Sequence, residues 1–329
     1  MEYRRFGTTD LTVSVVGFGA WGIGGPAMVG ATPIGWGGTD DAVSRRALRR
    51  ARELGITFYD TADFYGLGRS EELIGETFGN APDIVVATKV GHRAAEGDRI
   101  VLDYSAAHII AACERSLRRL RRDAIDYYQL HSARMPHLEE GECLEAMERL
   151  VRDGKVRYWG LSLNTFHPDA ESSFLTGRSL GHGFQLALNI INQRALGVVR
   201  SAAASGYGVI ARMPLQFGLL TGKFAPTARF AKDDHRSFRL TPEIVERSLA
   251  GIAAVRPVAD RRGISLTTLA LSFCAALPGI STVIPGIRTP EQAEENSVIV
   301  PLDTAEMAEL TGAYEERFAP VVSLMEQQG

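Results

Sequence analysis

The chain has 329 residues, 45% of them hydrophobic and 23% charged, with a formal net charge of -3 and an isoelectric point near 6.2. That balance belongs to a soluble globular protein with a sizeable core, and it argues against a nucleic-acid partner. No uninterrupted stretch reaches the ~18 apolar residues of a membrane span, and the start MEYRRFG has no apolar signal region, so a cytoplasmic protein without a membrane partner is expected.

Tyr3 to Phe6 and Leu11 to Ser14 flank Gly7-Thr8-Thr9-Asp10 and read as a hairpin. A short buried strand follows over 15–19, then a glycine-rich irregular loop that contains Trp21 and Trp36. No compact GxGxxG run opens a helix after that strand, so this is not a dinucleotide fingerprint. From residue 40 a rhythm sets in: helix to about Leu54, strand 57–60, helix 69–78, strand 84–89, helix 104–120, strand 127–131, helix 139–153 and strand 156–162. Asp40 or Asp41, Ser70 and Asp103 are the expected helix caps. After a polar stretch over 164–172, strands are expected at 184–189 and 208–213, with a short helix from about Arg194 between them. A partly polar segment, 224–240, precedes helices 241–263 and 266–277, strand 281–284 and helices 289–296 and 303–317. Eight spaced strands with helices between them predict a closed (β/α)8 barrel, an α/β fold, as one domain over 1–329.

The basic run RSLRRLRR at 115–122 repeats Leu117 and Leu120 at helical spacing and reads as the solvated flank of a surface helix. Cys113, Cys143 and Cys274 have no CxxC spacing, and the histidines have no metal-ligand spacing, so no metal site is expected.

Three consecutive strands end in titratable groups: Asp60, Lys89 and His131, with Tyr65 one loop beyond the first. In a barrel these strand ends converge. A phenol gives up its proton poorly to a carbonyl oxygen at neutral pH, and a neighbouring ammonium stabilises the phenolate. The expectation is therefore a carbonyl-reducing site, with Tyr65 as general acid, Lys89 as its activator, Asp60 holding Lys89, and His131 stabilising charge on the substrate oxygen. Ser162, Asn164 and Gln185 offer the paired donors and acceptors that a carboxamide requires. The segment ARMPLQFGLLTGK (211–223) mixes Arg212, Pro214, Leu215, Gly218, Leu220, Gly222 and Lys223 in a way that suits a pyrophosphate. In IPGIRTPEQAEEN (284–296), a cofactor-contacting segment from Ile284 onward, Gly286 permits close backbone approach, and Arg288 is a phosphate fork ahead of a helix start.

These motifs together resemble the aldo-keto reductase family, nearer its bacterial oxidoreductase branches than the aldose reductase branch. The matching pieces run from VVGFGAWGIGG (15–25) through ITFYDTADFYG (56–66), VVATK, IDYYQLH and GKVRYWGLS to the two segments just described. The resemblance implies a barrel using NADPH, with NADH as the alternative, and a tetrad of Asp60, Tyr65, Lys89 and His131. It implies cofactor contacts from Gly19, Ala20 and Trp21, from Ser162, Asn164 and Gln185, from the 212–223 loop, and from Gln292, Glu295 and Asn296. By the same resemblance the pro-R hydride of nicotinamide C4 passes to an aldehyde or ketone, with the alcohol as product or, in reverse, as substrate. Two departures stand out: Leu163 separates the usual Ser-Asn pair, and Gly286 and Gln292 stand where the aldose reductase branch has a Lys and an Arg; in addition, Arg212 or Met213 falls where a nicotinamide-stacking Tyr is found in that branch. Trp21, Trp36, Phe64, Tyr65 and His131 are expected to wall the substrate, with Arg229, Phe230, Lys232 and Arg236 as a lid. A Schiff-base aldolase using Lys89 and a non-catalytic, channel-associated or regulatory subunit are the rival readings.

Overall fold

The computed structural model describes residues 1–225, 227–231 and 234–328. Eight parallel strands form one sheet: β1 (Phe18–Gly19), β2 (Phe58–Asp60), β3 (Val85–Val90), β4 (Ile125–His131), β5 (Val156–Ser162), β6 (Gly183–Ala187), β7 (Gly208–Arg212) and β8 (Thr282–Ile284). Each pairs with the next in chain order. The amides of Gly17 and Gly19 donate to Val283 O and Pro285 O, and the Val283 amide donates to Val15 O, so the eighth strand meets the first and the barrel closes. All eight expected strands are present. Residues of β2, β4 and β6 are buried almost throughout, because side chains on one face fill the barrel and those on the other lie under helices.

The expected hairpin pairs Tyr3–Arg5 with Thr12–Ser14. Its turn delivers Phe6 into the barrel, where the ring stacks on Phe58 at 6.5 Å and meets Tyr127 edge-on at 4.8 Å. Phe6 lies against the first residues of β6 and β7, and a Cβ on Gly208 would come within 2.6 Å of its ring. The hairpin thus plugs the amino-terminal end of the barrel and leaves the carboxyl ends of the strands as the open face.

Several local expectations are corrected. The helix expected over 139–153 is two, Met135–Glu140 and Glu142–Arg152, broken at Gly141, which adopts φ 81°. Residues 92–103, given no structure from sequence, form a hairpin of His92–Ala95 and Arg99–Leu102. The polar stretch at 164–172 runs into a helix, Asp169–Gly177. Ser105, rather than Asp103, caps the helix Ala106–Leu120. Ser70 lies inside the helix Arg69–Phe78, its hydroxyl donating to Ala20 O and accepting from Thr61, which pins that helix to the loop after β1. The last helix continues past 317 through a π turn to Ala319–Gln328. Asp40 caps the helix Asp41–Glu53 as expected, accepting from Ala42 and Val43.

Candidate active site

Parallel register brings the strand-end groups together. Asp60 closes β2, Lys89 is next to last in β3, and His131 closes β4; Tyr65 begins the short helical turn that follows β2. The Lys89 ammonium is fully buried and donates to Asp60 Oδ2 at 2.6 Å, to Thr61 O at 2.8 Å and to the Tyr65 hydroxyl at 3.3 Å. Burial alone would drive it toward neutrality, but the charges of Asp60 and Tyr65 outweigh that and raise its hold on the proton. Asp60 Oδ1 accepts from the amides of Gln185 at 2.7 Å and Gln129 at 3.1 Å. The three partners of this carboxylate come from β3, β4 and β6 and meet it in the barrel interior.

The His131 ring stands edge-on to the Tyr65 ring at 5.9 Å and to His92 at 4.4 Å. Its backbone carbonyl accepts from the Tyr104 hydroxyl at 2.6 Å, which fixes the strand end. Burial, then the neighbouring His92, Lys89 and Arg212, hold the imidazole well below its ordinary proton affinity, so it is neutral at pH 7. Burial likewise lowers His92 to about 4. The site thus contains a charged ammonium, a phenol and two neutral imidazoles within one shell.

A cleft of about 600 Å³ opens over this cluster. Asp60, Tyr65 and His131 line it, with Trp21, Trp36 and Phe64 on its walls. The Trp21 ring stacks on that of Tyr65 at 5.8 Å, and its indole N–H donates to Ile34 O, anchoring the glycine-rich loop. Of the residues expected at a cofactor, Gly19, Ala20, Ser162 and Gln185 border the cleft on one side. Arg212, Pro214, Leu215, Gly218 and Lys223 border it after β7, and Ile284, Gly286, Arg288 and Gln292 after β8.

Five expected residues do not line it. Asn164, displaced by the inserted Leu163, spends its side-chain oxygen accepting from the amides of Phe166 and His167. Leu220 is buried in the core and Gly222 ends the turn after β7. Glu295 pairs with Lys223 at 3.0 Å, and Asn296 donates to Gly286 O at 3.2 Å. Those two support cleft residues and do not face the space itself.

Sequence reasoning missed His235, which is wedged between Trp21 at 4.5 Å, Trp36 at 4.3 Å and Phe217 at 5.1 Å. Burial pushes this imidazole down to about 3. Its neighbour Asp234 bridges the backbone of Trp36, so the segment around it closes over the tryptophan loop. Arg236 pairs with Asp234 and lies over the rings of Trp36 and Phe230. Arg229 donates to Ala228 O and does not border the cleft, whereas Lys232 lies outside the described residues. No periodicity marks 224–240 in the sequence, and only its aromatic and basic content hinted at a cover. Gln129 was missed too, because it reads as one more residue of a buried strand.

Among the described residues no three His, Cys, Asp or Glu side chains gather as a metal site, and no helix is long and apolar enough to cross a membrane. The three cysteines are free and buried.

With this geometry established, comparison with known proteins defines the class. The model of the Aldo/keto reductase family matches residues 15–315. The chain is 31% identical to "Aldo-keto reductase YhdN" of Bacillus subtilis, over 91% of this chain and 88% of the relative. It superposes on aldo-keto reductase AKR11C1 from Bacillus halodurans (holo form) with a TM-score of 0.78 at 28% identity, covering 95% of this chain and 96% of the other. The glycerol dehydrogenase AKR11B4 from Gluconobacter oxydans gives 0.80 at 28% identity, covering 96% and 95%. The chain belongs to the aldo/keto reductase family. Within it, the protein is an enzyme of the bacterial oxidoreductase type, an NAD(P)H-dependent reductase of a carbonyl substrate.

Proposed function

We propose that the protein reduces an aldehyde or ketone with NADPH, using Tyr65 as the proton donor. The observation that carries this reading is the Tyr65 hydroxyl held 3.3 Å from a buried ammonium that is itself fixed by Asp60. Lys89 stabilises the phenolate left when the proton moves to the substrate oxygen, and the Asp60 ion pair keeps Lys89 charged. Neutral His131 donates a hydrogen bond to that oxygen while negative charge grows on it. Trp21 and Trp36 exclude water on the substrate side.

The cleft residues fit a dinucleotide. A Cβ at Gly286 would meet nothing within 4 Å, so the bare backbone there leaves room for a flat ligand against the wall. Arg288 is half-buried and donates to the carbonyls of Gly38 and Trp36, and burial and the nearby Arg236 weaken its hold on its proton, so a phosphate beside it would be favoured. Arg288 and Lys223 are the cations that favour NADPH over NADH, and Ser162 and Gln185 the polar groups for the carboxamide. The bound nicotinamide supplies a hydride to the carbonyl carbon. An aldolase reading requires a neutral Lys89 amine, the opposite of what the Asp60 pair enforces. A purely regulatory subunit has no use for the complete set of four groups.

The test is a panel of aldehydes, ketones and alcohols with NADPH and NADH, comparing wild type with Tyr65→Phe. Loss of the general acid lowers kcat by about 10²- to 10⁴-fold while NADPH still quenches intrinsic fluorescence. A variant keeping more than a tenth of its rate would overturn the acid assignment.

A further inference from the structure

A side cavity of about 120 Å³ opens off the main cleft, and Trp21, Arg212, Met213, Gln216, Phe217 and Arg239 border both spaces. Two guanidinium groups face it, and among the described residues no carboxylate does. Arg212 ends β7 half-buried, and its bonds are poor ones for a cation partly removed from water. Its Nη2 donates to Leu163 O at 3.2 Å and to Thr165 Oγ1 at 3.0 Å, its Nη1 approaches the Met213 sulfur at 3.0 Å, and its Nε is buried with no partner. A guanidinium partly withdrawn from water with no carboxylate on it is one that an anion would complete, and its planar fork matches carboxylate or phosphate oxygens.

The location says which anion. Arg212 lines the cleft together with Asp60, Tyr65 and His131, and its charge helps to hold the His131 imidazole neutral, so it belongs to the chemical end of the cleft. Trp21, stacked on Tyr65, also walls the side cavity, so a substrate carbonyl at the phenol has the cavity one indole away. Arg212 was expected in the cofactor cradle. The geometry points instead to the substrate.

We propose that Arg212, assisted by Arg239, binds an anionic group of the substrate in this side cavity, so that the preferred carbonyl compound carries a carboxylate or phosphate a few bonds from its C=O. The inference rests on the reductase reading and narrows it to a substrate class. No new bond is formed by these residues; they are specificity determinants for the reduction.

The test pairs each anionic carbonyl with a neutral analogue: succinic semialdehyde with butanal, and glyceraldehyde 3-phosphate with glyceraldehyde. Wild type is expected to prefer the anionic member by about 10- to 100-fold in kcat/KM, chiefly through KM, the range a charge-assisted hydrogen bond supplies. Which pair shows the larger ratio separates carboxylate from phosphate. Arg212→Gln should bring the ratio toward one, Arg239→Gln should reduce it in part, and Arg212→Lys, which keeps the charge, should retain some of it. The dissociation constant of NADPH, read by fluorescence, should not move with that ratio. Equal use of both members by wild type would sink the anion site while leaving the reductase reading intact. Absence of turnover with every carbonyl would instead remove the reading it rests on. If Arg212→Gln weakens NADPH binding in step with turnover, the arginine serves the cofactor and the proposal is wrong.

Discussion

Replacing Lys89 by methionine isolates the ion pair beneath the phenol. The side chain is fully buried and its ammonium lies 2.6 Å from Asp60, so its removal leaves a carboxylate with only the Gln129 and Gln185 amides as partners. Breaking a buried pair from one side costs about 3–5 kcal/mol, because the remaining charge is stranded. Unfolding entropy of about 2.1 cal/mol/K per residue gives roughly 0.7 kcal/mol/K for 329 residues, so Tm should fall by about 4–7 °C. The double variant Asp60→Asn/Lys89→Met removes both charges and should recover most of that loss. In wild type, Lys89 has a raised hold on its proton, so its contribution is full below its ordinary value of 10.5 and fades only in more alkaline solution. Calorimetry at pH 8 on the three proteins, and on wild type again above pH 10.5, measures all of this. A double variant no more stable than Lys89→Met would refute the argument, since the loss would then be packing and not charge.

Two further outcomes follow from the geometry. Gly286→Val puts a branched side chain into open cleft space, so NADPH affinity should fall by about tenfold or more, with Tm almost unchanged; unchanged affinity in a titration would remove Gly286 from the cofactor wall. Burial lowers His92 to about 4 from an ordinary 6.5, so its contribution to stability is present above pH 6.5 and is lost as pH falls toward 4. His92→Gln should flatten the decline of Tm across that window, and a decline identical to wild type would show that the ring does not titrate on folding.

The barrel was legible because its signal is repeated: eight apolar runs separated by helical stretches, with caps such as Asp40 between them. The four reactive groups were legible for the same reason, since parallel register turns similar positions on successive strands into neighbours in space. What escaped had no period to reveal it. His235 packs among rings from two distant segments, Trp21 and Trp36 of the loop after β1 and Phe217 of the turn after β7, and Gln129 sits in a strand where any buried residue looks alike. The hairpin at 92–103 was missed although Glu96-Gly97-Asp98 marks its turn, with Gly97 and Asp98 both at positive φ. Asn164 failed in the opposite sense: a residue type suited to a carboxamide is drawn instead into capping its own loop, one position out of phase because of Leu163.

Phe6 gives the molecule a floor. A vessel stoppered at its base is filled from its mouth, so any two ligands that meet at Tyr65 share that rim, a geometry set in part by a hairpin at the far end of the barrel from the chemistry.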